Sequence, residues 1–325
     1  MLLRFLKDIF GGGSGRARNE PSALANEHLQ RGLANRSAGR LQDAFADFRR
    51  ATELAPDDPN CLYSLAEAAY RVGQPELALE YCGRLRRVAP QLGAVDGLEA
   101  HIRFEGEHYF EVLKRILEAA KPRTYLEIGV EQGNSLRLVT APTLAIGVDP
   151  EPKLSAPLAP NQRVFAETSD AFFASHDVRA ELGGLPIDLA FIDGMHHFEF
   201  ALRDFANVER LSTPQSTILI HDVYPLDRVT AERERLRTFW SGDIWRLIVL
   251  LKTVRPELSV HTIATAPTGL AVVRNLDPGS RLLLERHDQL VREYLALDYS
   301  WLEDDMAGKL NLFPNDWTKI RALLG

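Results

Sequence analysis

Thr124 to Pro150 reads TYLEIGVEQGNSLRLVTAPTLAIGVDP, and the rest of the chain can be arranged around it. An apolar run (Tyr125, Leu126, Ile128, Val130) ends in a loop that holds Gly129 and Gly133. A short helical pattern follows, and a second apolar run closes on Asp149. This order predicts a strand, a tight turn, a helix and a second strand. Such a unit opens doubly wound parallel sheets, whose ligands sit outside the carboxyl ends of the strands.

The loop narrows the choice of ligand. A dinucleotide turn needs a second glycine so that the backbone can approach a pyrophosphate. Here Glu131 stands between the two glycines, and Leu136 occupies the place of a third. A carboxylate there repels a diphosphate but tolerates a sulfonium amino acid. Asp149 lies about twenty residues beyond the turn, where a carboxylate can accept both hydroxyls of a ribose. A ribose-bearing cofactor without phosphates is S-adenosylmethionine. Two other readings stay open: an NAD-dependent oxidoreductase, and a non-catalytic adaptor with a degenerate α/β domain.

Further strands are predicted at VFAETS (164–169), IDLAFIDG (187–194) and STILIHDV (216–223), with a helix over 198–211. Near-continuous apolar strands alternating with helices predict a parallel sheet covered on both faces. SVHTIATA and GLAVVRN, either side of Pro267 and Thr268, predict a closing hairpin with an antiparallel strand. EHYFEVLKRILEAAKPR (107–123) predicts an amphipathic helix stopped by Pro122.

Strand four ends in Asp193-Gly194-Met195-His196-His197, and strand five in His221-Asp222. Adjacent parallel strands would bring Asp193 and Asp222 together at the carboxyl edge. Two carboxylates with neighbouring imidazoles suit Mg²⁺ or another divalent cation, with Asp193, Asp222 and His196 as the ligands. A hydroxyl attacking a sulfonium methyl must lose its proton to a base or through a metal. Asp193, His196 and His221 are therefore the candidate catalytic residues. Trp240, Asp243, Trp245 and Arg246 are candidates for an acceptor pocket, with burial in the core as the plainer reading for the tryptophans. Ser241 or Asp243 is expected to cap a helix from Ile244 to Leu251, and the charged run Ala231 to Arg237 to form a solvated helix face.

Taken in order, LEIGV-x-x-G-x-S, F-I-D-G-x-H-x-(aromatic)-E with Asp204 eleven residues after Asp193, and the His221-Asp222 strand end resemble class I S-adenosylmethionine-dependent methyltransferases. The likeness spans about residues 105 to 275 and is nearest to small-molecule and sugar O-methyltransferases. It implies that Glu127, Gly129 and Gly133 shape the cofactor's amino-acid end, with Glu131 and Ser135 also among the cofactor-binding residues. Asp149 would hold the ribose, Ser169 and Asp170 would lie near the adenine, and Asp193 would also touch the cofactor. Metal-dependent relatives often carry an acidic residue beside the aspartate matching Asp222. This chain has His221 there.

Residues 25 to 90 repeat with a period of 34: Gly39 and Gly73, Ala44 and Ala78, Pro56 and Pro90. That is the tetratricopeptide period, and such repeats resemble protein-interaction modules. Two copies bury little core, so cover from residues 92–120 or from the neighbouring domain is expected. The full expectation is an α/β, doubly wound, mostly parallel sheet of Rossmann-like class I type behind an all-α tetratricopeptide domain. Its segments are an N-terminal helix and linker (1–21), two repeats (22–92), a connecting helix or linker (93–105), the methyltransferase domain (106–276) and a helical C-terminal extension (277–325).

Across 325 residues the formal charge of −7 argues against a nucleic-acid surface. No segment is long and apolar enough to span a bilayer. Cys61 and Cys82, the two cysteines, suit buried thiols in a reducing cytoplasm. The expected partners are a small-molecule or sugar acceptor and a protein bound through the repeats.

Overall fold

Residues 23–325 are described by the structure, a computed structural model. The N-terminal helix and linker expected over 1–21 lie outside the described residues. The chain divides into two compact units, with the boundary between Pro90 and Gln91.

The first unit contains α1 (Ala23–Ser37), α2 (Leu41–Leu54), α3 (Pro59–Arg71) and α4 (Pro75–Val88). The helices begin and end where the 34-residue pattern puts its glycines and prolines. Phe48, Ala44, Ala51, Cys61, Leu65 and Ala68 make a common core. Asp58 caps α3 by accepting from the amides of Asn60 and Cys61 at 3.0 and 2.9 Å. Both cysteines are buried free thiols.

The second unit starts with α5 (Gly93–Arg103), the segment expected to connect the domains, and α6 (Tyr109–Ala120). Its sheet runs β3-β2-β1-β4-β5-β7-β6-β8, with β1 at Thr124–Ile128, β2 at Leu144–Val148, β3 at Gln162–Phe165, β4 at Ile187–Ile192 and β5 at Ser212–His221. Those five strands are parallel. The predicted hairpin is β6 (Ser259–Ile263) and β7 (Leu270–Arg274), with β7 antiparallel to both β5 and β6.

Strand alternation divides the core into two layers. Leu126, Ile128, Ala190, Ile192, Ile218 and Ile220 face one side, under α9 (Phe198–Leu211) and α10 (Trp245–Val254). Tyr125, Leu189, Phe191 and Leu219 face the other, under α6. The same alternation turns Glu127 and His221 towards the α6 side.

Three expectations need correction. The helix after β1 is a single 3₁₀ turn, Leu136–Leu138, because Val139, Thr140 and Pro142 follow it at once and disfavour helix. Strand three ends at Phe165, since Thr168 already caps α7 (Ser169–Ser175). The run Ala231 to Arg237 is not helical. Arg233 instead reaches Glu199 and Asp243, and Arg237 reaches Asp227, so tertiary ion pairs override local propensity. The expected helical C-terminal extension, 277–325, packs into this unit. Short α8 (Val178–Glu181) precedes β4, and α11 (Leu282–Glu285), α12 (His287–Leu295), α13 (Tyr299–Glu303) and α14 (Met306–Lys309) follow β7. Leu283, Leu290, Tyr294 and Leu302 from these last helices enter the core. β8 (Leu312–Phe313) then extends the sheet beside β6, and Ile320 of α15 (Trp317–Leu324) packs with α6 residues.

Candidate functional site

Register decides which residues meet at the carboxyl edge. Ile128 pairs with Val148 on one side and Ile192 on the other, and Ile192 pairs with Ile220. The next residues along the four strands, Gly129, Asp149, Asp193 and His221, therefore emerge side by side. β1 and β4 flank the point where the strand order reverses, where doubly wound sheets place their ligands. A cleft of about 860 Å³ opens there, lined by residues from all four strand ends.

The loop after β1 is tied to β2 by Asp149. Its Oδ2 accepts from the amides of Val130 and Glu131 at 2.9 and 2.8 Å. Gly129 has φ +87°, and a Cβ there would overlap the Asp193 carbonyl. That position lets the β1 and β4 loops touch. Glu131, Ser135, Asp149, Ser169, Asp170 and Asp193 all line the cleft together with Gly129.

Glu127 lies elsewhere, fully buried beneath the loop. It accepts from the Tyr125 hydroxyl at 2.6 Å and the Ser135 hydroxyl at 2.7 Å. Burial pushes its carboxyl up to about 8, against those two hydrogen bonds. Gly133, with φ +71°, shapes the loop from a position off the cleft wall.

The second cluster joins β4 to β5. His221 Nδ1 lies 3.2 Å from Asp193 Oδ1 and 3.1 Å from Asp222 Oδ2. Burial opposes its charge, but the carboxylates of Asp222 and Asp193 outweigh it and raise the imidazole to about 10. The Tyr109 ring lies over it at 4.0 Å. Asp222 adopts a left-handed backbone, φ +59°, a conformation that costs a non-glycine residue about 1–2 kcal/mol. Its Oδ1 accepts from Thr268 Oγ1 at 2.6 Å. Burial works against the Asp222 charge, yet His196 and His221 hold its carboxyl well below the usual range.

His196 completes this cluster. Nε2 lies 3.1 Å from Asp222 Oδ2 and 3.9 Å from Asp193 Oδ1. Nδ1 is 3.2 Å from the Trp240 carbonyl, and the Trp240 ring stacks on the imidazole at 5.1 Å. Asp193, His196 and Asp222 each present one ligand atom, all within 4.8 Å of one another.

The segment Asp222–Ile244 forms the far wall and carries no helix or strand. It is held mainly by side chains, with scattered backbone bonds such as that from the Asp243 amide to the His196 carbonyl. Asp243 is buried and accepts from the Phe198 amide at 2.7 Å, so it caps α9 and not the helix that follows it in sequence. Arg233 binds both Asp243 and Glu199. Gly242, at φ +62°, sits where a Cβ would overlap the His196 carbonyl. Of the four acceptor-pocket candidates, Trp240 lines the cleft, whereas Trp245 is core, Asp243 is a cap, and Arg246 bonds the carbonyls of Tyr294 and Leu297. Tyr109, Phe239 and Thr268 also line the cleft and were missed in the sequence. Periodicity shows them only as ordinary helix, loop and hairpin residues.

Residues 126–223 match the profile of a methyltransferase domain, and residues 36–102 that of a tetratricopeptide repeat. Residues 126–223 of the α/β unit thus carry a methyltransferase domain. The nicotinamide alternative is thereby set aside. No curated protein matches the chain. Among solved structures, the chain is similar to the O-methyltransferase TomG from Streptomyces achromogenes, in complex with SAM (16% identity, 52% of this chain and 80% of that one, TM-score 0.41). It is also similar to cofactor-bound Rv0187 from MTB (18%, 62% and 96%, 0.43). A third likeness is to an O-methyltransferase from Bacillus cereus in complex with SAH (14%, 66% and 99%, 0.40). No helix among the described residues is long and apolar enough to cross a membrane.

Proposed function

We propose that the methyltransferase domain methylates a hydroxyl group on a sugar or other small metabolite. The observation that carries this reading is the Asp193–His196–Asp222–His221 cluster, which opens into the same cleft as the Gly129 loop. Asp149 would take the ribose hydroxyls of S-adenosylmethionine, and the loop from Gly129 to Ser135 its amino-acid end. Ser169 and Asp170 would flank the adenine. The bound donor supplies an electrophilic methyl carbon on a sulfonium.

The acceptor hydroxyl passes its proton to His196 Nε2 as its oxygen attacks that carbon. The sulfur–methyl bond breaks, and the electron pair stays on sulfur. With the Trp240 carbonyl accepting from Nδ1–H, Nε2 would be the nitrogen that exchanges a proton, and Asp222 Oδ2 at 3.1 Å would accept from it once it is protonated. His221, held charged between Asp193 and Asp222, has no lone pair to offer. It would balance the carboxylates, which is the part a candidate catalytic His221 would play.

The donor set of Asp193, Asp222 and His196 also suits a divalent ion such as Mg²⁺. His196 turns its other nitrogen to a backbone carbonyl, as metal-ligating histidines commonly do. A metal held there would lower the pKa of the acceptor hydroxyl. The repeats would bind a protein partner, and the two free buried thiols suit a cytoplasmic setting.

The test is methyl transfer to a panel of sugars and small hydroxylated metabolites, before and after chelation. Transfer to a hydroxyl supports the reading, and transfer only to nitrogen or carbon acceptors overturns it. Unchanged turnover after chelation removes the metal.

A further inference from the structure

The segment Asp222–Ile244 carries four arginines, and three of them are paired with carboxylates. Arg228 meets Asp298, Arg233 meets Glu199 and Asp243, and Arg237 meets Asp227 and Asp96. Arg235 meets no carboxylate among the described residues. Its Nε and Nη2 donate to the carbonyls of Arg237 and Thr238 at 3.4 and 2.7 Å, which holds the guanidinium in place without cancelling its charge. Arg235 is exposed, and it is the only arginine or lysine among the described residues that line the cleft.

A fixed, unneutralised guanidinium in a ligand cleft is matched by an oxyanion, because its planar N–H groups fit the oxygens of a carboxylate or a phosphate. The other charges of the cleft restrict where that anion can sit. Asp149, Asp170, Asp193 and Asp222 also line it, and they are already engaged by backbone amides, by Arg203 and by His221. An anion beside these carboxylates is repelled, so the Arg235 side is where it is tolerated. The donor's own carboxylate is the other oxyanion to place, but its proposed seat, Gly129 to Ser135, is on the strand-end wall. Arg235 is tied to Thr238, and Phe239 and Trp240 follow directly. Both rings line the cleft, and Trp240 stacks on His196. An acceptor anchored on Arg235 would lie along these rings and turn a hydroxyl towards His196 Nε2.

We propose that the methyl acceptor is an anionic small molecule and that Arg235 is a specificity residue that binds its carboxylate or phosphate. This deepens the proposed transfer to a hydroxyl and rests on it.

The test incubates the full chain with methyl-labelled S-adenosylmethionine and a small-molecule extract of the source cells, then separates the products by anion exchange at neutral pH. Label should enter products that the resin retains. Phosphatase treatment distinguishes the two sources of charge, since a phosphorylated product is then released and a carboxylate product is not. At low extract concentration Arg235→Gln should incorporate label about tenfold more slowly or worse, for want of a charge-assisted pair, and a higher concentration should restore the rate. Its affinity for S-adenosylhomocysteine by calorimetry should stay within about twofold of wild type. Arg235→Lys keeps the charge but not the planar fork, so its rate should fall between the two. Label confined to neutral products overturns the proposal and leaves methyl transfer to a hydroxyl standing. A glutamine variant as fast as wild type also overturns it, and so does a parallel loss of S-adenosylhomocysteine affinity, which would give Arg235 to the donor's carboxylate. If no hydroxyl is methylated at all, the underlying reading falls first, and this proposal falls with it.

Discussion

The two walls of the cleft are held by different forces. One wall is made of strand ends, so ladder hydrogen bonds across β2, β1, β4 and β5 fix Asp149, Gly129, Asp193 and His221. The facing wall, Asp222 to Ile244, has no ladder. It is fixed by the Asp243 cap on α9, the Arg233 ion pairs and the stack of Trp240 on His196. A wall set by backbone register resists side-chain change, whereas a wall set by side chains can be remodelled one contact at a time.

The comparison breaks most severely at Asp149. Asp149→Ala strips the Val130 and Glu131 amides of their acceptor and removes the proposed ribose contacts. At about 1–3 kcal/mol for each lost charged hydrogen bond, affinity for S-adenosylhomocysteine should fall by about a hundredfold or more by calorimetry. An affinity within threefold of wild type would show that the strand-end wall does not bind the donor. His196→Ala comes next. Turnover should fall by about 10²–10⁴ while donor affinity stays within about threefold, the pattern of a lost base. A parallel fall in donor affinity would mean that His196 shapes the cleft and takes no proton.

The same contrast explains what the sequence discloses. The register-built wall follows from apolar runs of period two, so Asp149, Asp193 and His221 can be placed at one edge before any coordinates are seen. The helix at 198–211 is equally plain, with its apolar stripe and the loop residues before it. Nothing local indicates that Asp243 caps that helix from 45 residues away, or that Arg233 spends its charge on Glu199. Such ties lie between segments distant in sequence, and helical propensity over Ala231–Arg237 points the wrong way. β8 is two residues long, too short to show any period. Tyr109 reads as a helix residue, and only the packing of α6 lays its ring on His221.

Gly242 offers a gentler way into the side-chain wall. Gly242→Ala drives a Cβ into the His196 carbonyl, so the segment that carries Trp240 must shift, in addition to the about 1–2 kcal/mol that a side chain costs at this positive φ. His196 would lose its fixed ring orientation while every strand end stays in place. Turnover should drop about tenfold, with affinity for S-adenosylhomocysteine within about twofold of wild type. Equal losses in both would show the two walls to be mechanically one.

The smallest effect comes from beneath the register-built wall and concerns stability. Glu127 has a carboxyl raised from 4.5 to about 8, chiefly by burial. Below about pH 4.5 the folded and unfolded chains both hold this proton, and the group has no influence. Between about 4.5 and 8 the unfolded chain releases it while the folded one retains it, so stability declines as pH rises, by up to about 1.4 kcal/mol per pH unit. Above about 8 both forms are ionised and the full penalty is present. Glu127→Gln removes the titration but keeps an oxygen for one of the hydroxyls of Tyr125 and Ser135. Asp204, raised to about 7, titrates with the same sign in wild type and variant alike, so the difference between the two chains isolates Glu127. Urea midpoints measured at about pH 5 and pH 9 should therefore fall less in the variant than in wild type. Parallel declines would mean that the buried carboxyl keeps an ordinary pKa, and that the loop above it is held by something other than a neutral acid.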